Sequence, residues 1–236
     1  MLRQEESLYN MKSVYMIGDC HLSRAIEHYY PEKHDVTFVP WPKAAKKMHG
    51  FSVEQMREED EMSSGVEIAR TIDYRPQPFS IIKDDGILAL WMGYVDTRTF
   101  LPKYKNADNT VKLFIKNIKD NFPNSKVVVI EPLPQFTEML LKHEGISPYY
   151  THEQRIDQNR EFLAALHKYS KEAGFEIIIT QQDILDSLGV PELTPSMTHT
   201  DAPHPVDGLH PKHMEKIWEL FSNKLSQFCY LHSKSI

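Results

Sequence analysis

Two short clusters in this chain have residue types and spacings suited to covalent chemistry. The first is Gly18-Asp19-Cys20, where the apolar run Val14-Tyr15-Met16-Ile17 ends in a turn and a helical pattern follows. A thiol at the start of a helix meets the positive end of the helix dipole, which favours the thiolate. The turn also leaves backbone N–H groups available to an oxyanion. The other reading of Cys20 is a small buried hydrophobe, the common fate of a free cysteine, and spacing alone leaves the two readings level. The second cluster is Val-Asp-Gly-Leu-His-Pro, with Asp207 and His210 three positions apart. A carboxylate at that spacing can hold an imidazole in one tautomer, and the imidazole can then act as a general base. Taken alone, the same pair also reads as a capping aspartate and a surface histidine.

These residues need elements to bring them together. Apolar runs suited to strands occur at 13–17, 35–39, 86–92, 126–132 and 175–180. They are nearly continuous in apolar residues, the pattern of parallel strands covered on both faces. Helical periodicity alternates with them. Val111, Phe114, Ile115 and Ile118 predict a helix over 110–121 that stops before Pro123. Thr151 and Gln154 form a capping box ahead of a helix over 152–173, which carries Ile156, Phe162, Leu163, Leu166 and Tyr169 and stops at Gly174. A last helix begins near Pro211 with Met214, Ile217, Trp218, Phe221, Leu225 and Phe228 as its apolar stripe. This alternation predicts an α/β protein, a three-layer α/β/α, flavodoxin-like arrangement with an open parallel sheet of about five strands. One domain is expected over 1–236, with 1–12 and 230–236 as tails. Residues 40–85 are the least legible, and 192–208 read as a long, proline-containing loop of the kind that often carries function.

Ligands of an open parallel sheet bind outside the carboxyl ends of its strands. Cys20 follows the first predicted strand, Gly93 to Arg98 follow the third, Glu131 and Pro132 close the fourth, and Asp207 and His210 precede the last helix. Convergence of these groups on one rim is the strongest functional expectation the chain carries.

Bulk composition narrows the partners. The 236 residues carry 27 basic and 33 acidic side chains, a net charge of −6, which gives no general attraction to nucleic acid or an anionic membrane. No run approaches the apolar length of a spanning helix, and the polar, acidic N-terminus does not read as a secretory signal. With Cys20 and Cys229 the only cysteines, a reducing, cytoplasmic setting is expected. His199, His204, His210 and His213 match no zinc spacing, so no metal is expected. No cofactor is expected either, since Gly-Asp-Cys-His-Leu-Ser-Arg lacks the glycine-rich loop of a nucleotide or flavin binder.

On these residues the chain resembles the SGNH (GDSL-type) hydrolase superfamily. Ile-Gly-Asp-Cys looks like its first block, Gly-Asp-Ser after the first strand, and Asp-Gly-Leu-His looks like its last block, Asp-x-x-His. Trp-Met-Gly-Tyr-Val-Asp-Thr-Arg is similar to the third block of a subgroup whose signature reads Gly-Glu-Ile-Asp-Cys-Arg. The blocks run in order from Gly18 to His210. The resemblance implies ester or acyl chemistry through Cys20 as nucleophile, His210 as base and Asp207 as its orienter. It implies an oxyanion hole made by the Cys20 N–H and a second-block glycine, matched here by Gly50 with Gly65 as the rival. Gly93, Asp96, Arg98 and His21 are the implied substrate-side residues, with a small-molecule or glycan acyl ester as partner. His21 and Arg24 extend the first block along one helical face, where they touch substrate or are simply solvated.

Two departures from the family pattern matter. Cysteine replaces the serine nucleophile; a Cys–His pair is workable. Val95 stands where the main family has an asparagine donor, and valine cannot donate. Arg98 either supplies the missing charge or forms a structural ion pair with Asp96 or Glu131. The chain therefore reads as an esterase acting on O-acyl substrates, with a catalytically degenerate binding or assembly module of the same fold as the alternative.

Overall fold

The computed structural model describes residues 14–18, 36–40, 86–91, 93, 97, 106–135, 151–197 and 209–233. Five strands, β1 (Val14–Gly18), β2 (Val36–Pro40), β3 (Ile87–Trp91), β4 (Lys126–Ile130) and β5 (Glu176–Ile179), form one sheet in the order β2-β1-β3-β4-β5. All four pairings are parallel. This is the flavodoxin-like doubly wound order, whose direction of winding reverses between β1 and β3. The described helices are α1 (Ala107–Asn121), α2 (His152–Ala173), α3 (Gln181–Leu188) and α4 (Pro211–Ser233).

The apolar runs form central strands because both of their faces are covered. Leu88, Leu90, Val127 and Val129 point into one core cluster with Val111, Phe114, Ile115 and Ile118 of α1 and Phe162, Leu166 and Tyr169 of α2. Ile87, Ala89, Trp91, Val128 and Ile130 point into the other, with Ile184 of α3 and Met214, Ile217, Trp218 and Phe221 of α4. Side chains of a strand alternate between faces, so β3 and β4 each feed both clusters. Each fully buried Leu, Ile, Val or Phe contributes about 1.5–3 kcal/mol. Successive right-handed crossovers from β3 through β4 to β5 place α1 and α2 on the same face, and α3 and α4 cover the other. The result is the expected three-layer α/β/α domain.

Element ends follow local chemistry. In α2 the Gln154 N–H donates to Thr151 Oγ1 at 3.2 Å and the Thr151 N–H to Gln154 Oε1 at 2.9 Å, as the capping box predicts. The helix ends at Gly174 with φ 79°. Helix α1 begins earlier than its apolar stripe suggests, at Ala107, behind Asn106, whose Oδ1 accepts from the Thr110 hydroxyl. Helix α3 is absent from the sequence-based expectation. Its signals are a second capping box, Thr180 with Asp183, and a left-handed Gly189. Eight residues give too short a window for periodicity to speak.

Strand β5 also carries an irregularity. Val129 pairs with Ile177, whereas Ile130 pairs with Ile179, so β5 holds one extra residue at this point. The skip returns Ile179 to the face of Ile130, in the second core cluster. Among the described residues, no helix is long and apolar enough to cross a membrane.

Immediately past β3 the chain turns at Gly93, whose φ is +110°. The ring of Phe162 lies against it; a Cβ there would stand 2.4 Å from Phe162 Cζ. Only glycine meets both demands. Gly93→Ala is therefore expected to lower the unfolding midpoint by the equivalent of about 1–3 kcal/mol from overpacking, plus backbone strain. Combining it with Phe162→Leu in a double-mutant cycle should recover part of that loss. Strictly additive losses would show that the ring and the glycine do not compete for the same space.

Candidate functional site

The carboxyl ends of the strands carry a concentration of buried polar groups. The Thr97 N–H and hydroxyl both donate to the Gly93 carbonyl at 3.0 Å. Gln135 Nε2 donates to Thr97 Oγ1 at 2.8 Å, tying the segment after β3 to the segment after β4. Thr97 and Gln135 are both buried. The Gly93 carbonyl is thus committed to Thr97, and the glycine's described role is to let the chain pass beneath Phe162.

Next to this pair, Glu131 leaves the end of β4 with its carboxylate 4% exposed. Its Oε1 lies 2.5 Å from His167 Nε2 of α2, and its Oε2 accepts the Gln181 N–H at 2.6 Å, in the first turn of α3. The Gln181 side chain completes the junction. Its Nε2 donates to the Pro132 carbonyl at 2.9 Å, and Asn159 Nδ2 of α2 donates to its Oε1 at 3.0 Å. The extra residue in β5 sits just before this junction. Glu131 was a candidate partner for Arg98; each of its oxygens already has a described partner, and Arg98 lies outside the described residues. Sequence reasoning missed His167, Gln181, Asn159, Thr97 and Gln135. Helical and capping patterns identify elements, but nothing local says which polar side chains of different elements meet.

His210 reaches the same edge from the other face of the sheet. Phe228 of α4 shares a cavity of about 270 Å³ with Lys126 and Val127 at the start of β4 and Phe175 and Glu176 at the start of β5. From Phe228 back to His210 is ~27 Å of helix at 1.5 Å per residue. A five-residue strand spans only ~17 Å. Helix α4 therefore starts at, and beyond, the carboxyl ends of the strands. The His210 N–H donates to the Met197 carbonyl at 2.7 Å, and Met197 and Leu209 are buried in the second cluster. Both ends of the segment between Met197 and Leu209 are thereby pinned. The long loop expected over 192–208 is in part a 3-10 turn, Pro195–Met197.

The His210 ring is exposed, and its Nδ1 accepts the Lys212 N–H at 3.3 Å, capping the first turn of α4. A neutral imidazole that accepts at Nδ1 carries its proton on Nε2. Behind it, the His213 ring lies edge-on at a centroid distance of 6.3 Å. His213 is half-buried and its Nδ1 has no partner. Burial, then the nearby charges of Lys212, His210 and Lys216, hold its pKa below the ordinary 6.5.

Of the predicted site residues, Gly93 and His210 lie among the described residues, and both stand at the carboxyl edge of the sheet. Cys20, Asp207, Gly50, Asp96, Arg98 and His21 lie outside them. Strand β1 ends at Gly18, paired with Trp91, at the reversal point of the winding.

No family profile matches the chain, and no curated protein matches it. Among solved structures it is similar to a candidate GDSL-like lipase from Parabacteroides merdae, at 12% identity and a TM-score of 0.49 over 91% of this chain and 97% of that one. It is also similar to a protein from Lactobacillus plantarum, at 10% identity and a TM-score of 0.47 over 94% of this chain and 98% of that one.

The depressed pKa of His213 has a consequence for stability. Below pH 6.5 the unfolded chain binds a proton at this residue before the folded protein does. The contribution of His213 to stability is therefore unchanged above that pH and falls as pH drops from 6.5 toward the lower folded pKa. Unfolding midpoints of wild type and His213→Gln, measured from about pH 5 to pH 7, should show a shallower acid-side loss in the variant. Parallel profiles would contradict the assignment.

Proposed function

We propose that this protein is an esterase or acyl hydrolase that works through Cys20, His210 and Asp207. The observation that carries the reading is the position of His210. Its peptide is anchored by Met197 at the same edge of the sheet where β1 ends, and Cys20 follows that end by two residues in the sequence. The parallel order β2-β1-β3-β4-β5 supports it, because the crevice of such a sheet opens between β1 and β3.

In the proposed reaction the Cys20 thiolate attacks the acyl carbon, a C–S bond forms, and the ester C–O bond breaks. His210 passes the thiol proton to the departing alcohol oxygen. It then removes a proton from water, which attacks the thioester, releases the carboxylic acid and returns the thiol. Asp207 orients the imidazole by accepting from Nδ1–H. For that, the ring turns Nδ1 away from the Lys212 N–H, whose hydrogen bond at 3.3 Å is long and easily given up. Backbone N–H groups of Cys20 and Gly50 supply the oxyanion site, with Asp96, Arg98 and His21 around the substrate. The favoured substrate is an O-acyl ester, with O-acetyl carbohydrate as the first class to test.

One observation favours a second reading, a binding module that keeps the fold without the chemistry. As a helix cap, His210 Nδ1 is already in use. Two measurements separate the readings. Hydrolysis of p-nitrophenyl acetate should fall at least about a thousandfold in both Cys20→Ala and His210→Ala, with alkylation of Cys20 titrating below the ordinary thiol pKa of about 8.5. Unchanged activity in either variant, or an inert thiol, would remove the mechanism in favour of the module.

A further inference from the structure

A cavity of about 270 Å³ opens at the amino edge of the sheet, at the far end of β4 and β5 from Glu131 and His210. Both helical layers contribute to it. Phe122 and Val127 belong to the first core cluster, and Ala173 and Phe175 pack against it, whereas Phe228 belongs to the second. The cavity therefore wraps the starts of β4 and β5 from one face to the other. Gly174 keeps it open. It caps α2 with φ 79°, a conformation that favours glycine, and a Cβ there would meet nothing within 4 Å.

Charged side chains stand beside these apolar walls. Lys126 begins β4 and is half-buried, Lys119 lies in the last turn of α1, and Glu176 begins β5. Lys116, Lys168 and Lys224 each meet a carboxylate, whereas among the described residues Lys119 and Lys126 meet none. A partly desolvated ammonium without a counter-charge favours an anion beside it. Glu176 and the carbonyl ends of α1 and α2, each the negative end of a helix dipole, offset part of the positive charge. The balance suits a single negative charge and disfavours a dianion such as phosphate.

We propose that this cavity binds a small monocarboxylate with a single-ring apolar body, its carboxylate on Lys126 and Lys119 and its ring among Phe122, Phe175 and Phe228. Pockets for drug-sized ligands run from about 300 to 1,000 Å³, so a cavity just below that range takes one ring and a short arm. Aromatic walls favour a flat ring, which meets them edge-on or offset. Burying the ring releases water from apolar surface, and the ammonium groups select the ionised acid over its neutral amide. The site stands a strand's length, ~17 Å, from the carboxyl edge, and it does not depend on the esterase reading.

The test follows the Ala173 and Val127 methyl signals of the full chain by NMR during titration with cinnamate and, separately, with cinnamamide. Cinnamate should shift both methyls and bind about tenfold more tightly than the amide. Lys126→Met should remove most of that preference and leave binding of the amide unchanged. Ala173→Leu, which fills the cavity without altering charge, should weaken both ligands at least about tenfold. No binding of cinnamate up to about 10 mM, an acid-to-amide preference below about threefold, or shifts that avoid Ala173 and Val127 would overturn the proposal. So would binding that survives Ala173→Leu. The comparison of acid with amide uses the wild-type protein alone, so it decides the matter even where a variant does not fold.

Discussion

The buried carboxylate of Glu131 is the constraint on which the carboxyl edge of the sheet depends. Taking a carboxylate out of water costs several kcal/mol, and it is retained only where good hydrogen bonds compensate. Here His167 of α2 and the Gln181 N–H of α3 supply them, at about 1.5–3 kcal/mol each for bonds to a charged group. One side chain thereby ties the end of β4 to helices on opposite faces. Gln181 then binds the Pro132 carbonyl and Asn159, which sets the height of α2 above the sheet. Phe162 can lie on Gly93 only at that height.

The two faces meet the edge in different ways. On the α2 face the edge is polar, with Glu131 bound to His167 and with Arg155, Gln158 and Asn159 buried in the upper turns of α2. On the α3 and α4 face, apolar packing reaches to the edge through Leu193, Met197, Leu209 and Met214. His210 follows directly, its N–H donating to the Met197 carbonyl and its Nδ1 accepting the Lys212 N–H. An imidazole with a fixed Cα and an exposed ring suits a group that must swing between capping a helix and meeting a substrate. In the proposed enzyme the histidine arrives from the apolar face.

Much of the fold was legible because burial writes itself into local patterns. Val127, Val128 and Val129 read as a strand covered on both faces, and that is what β4 is. Thr151, Gln154 and Gly174 marked both ends of α2. Helix α3 was not legible, since eight residues carry too little period, although its capping box was there to find. At the candidate site, His210 stood out through its spacing to Asp207. His167, Gln181 and Asn159 did not, because the partners of His167 and Gln181 are 36 and 50 positions away, and Asn159 and Gln181 are 22 apart.

By itself, then, the sequence determined the five strands, the helices α1, α2 and α4, that the sheet is parallel, and which faces of those helices turn inward. Periodicity, capping residues and β-branched runs are local, and local free energies suffice to select them. Only the tertiary structure decided that Glu131 ties the end of β4 to α2 and α3, that Gly93 lies against the Phe162 ring, and that the buried stripe of α2 turns polar above the sheet. These outcomes depend on the bulge in β5 and the height of α2. Both are set by contacts between residues far apart in the chain, and no local pattern encodes such contacts.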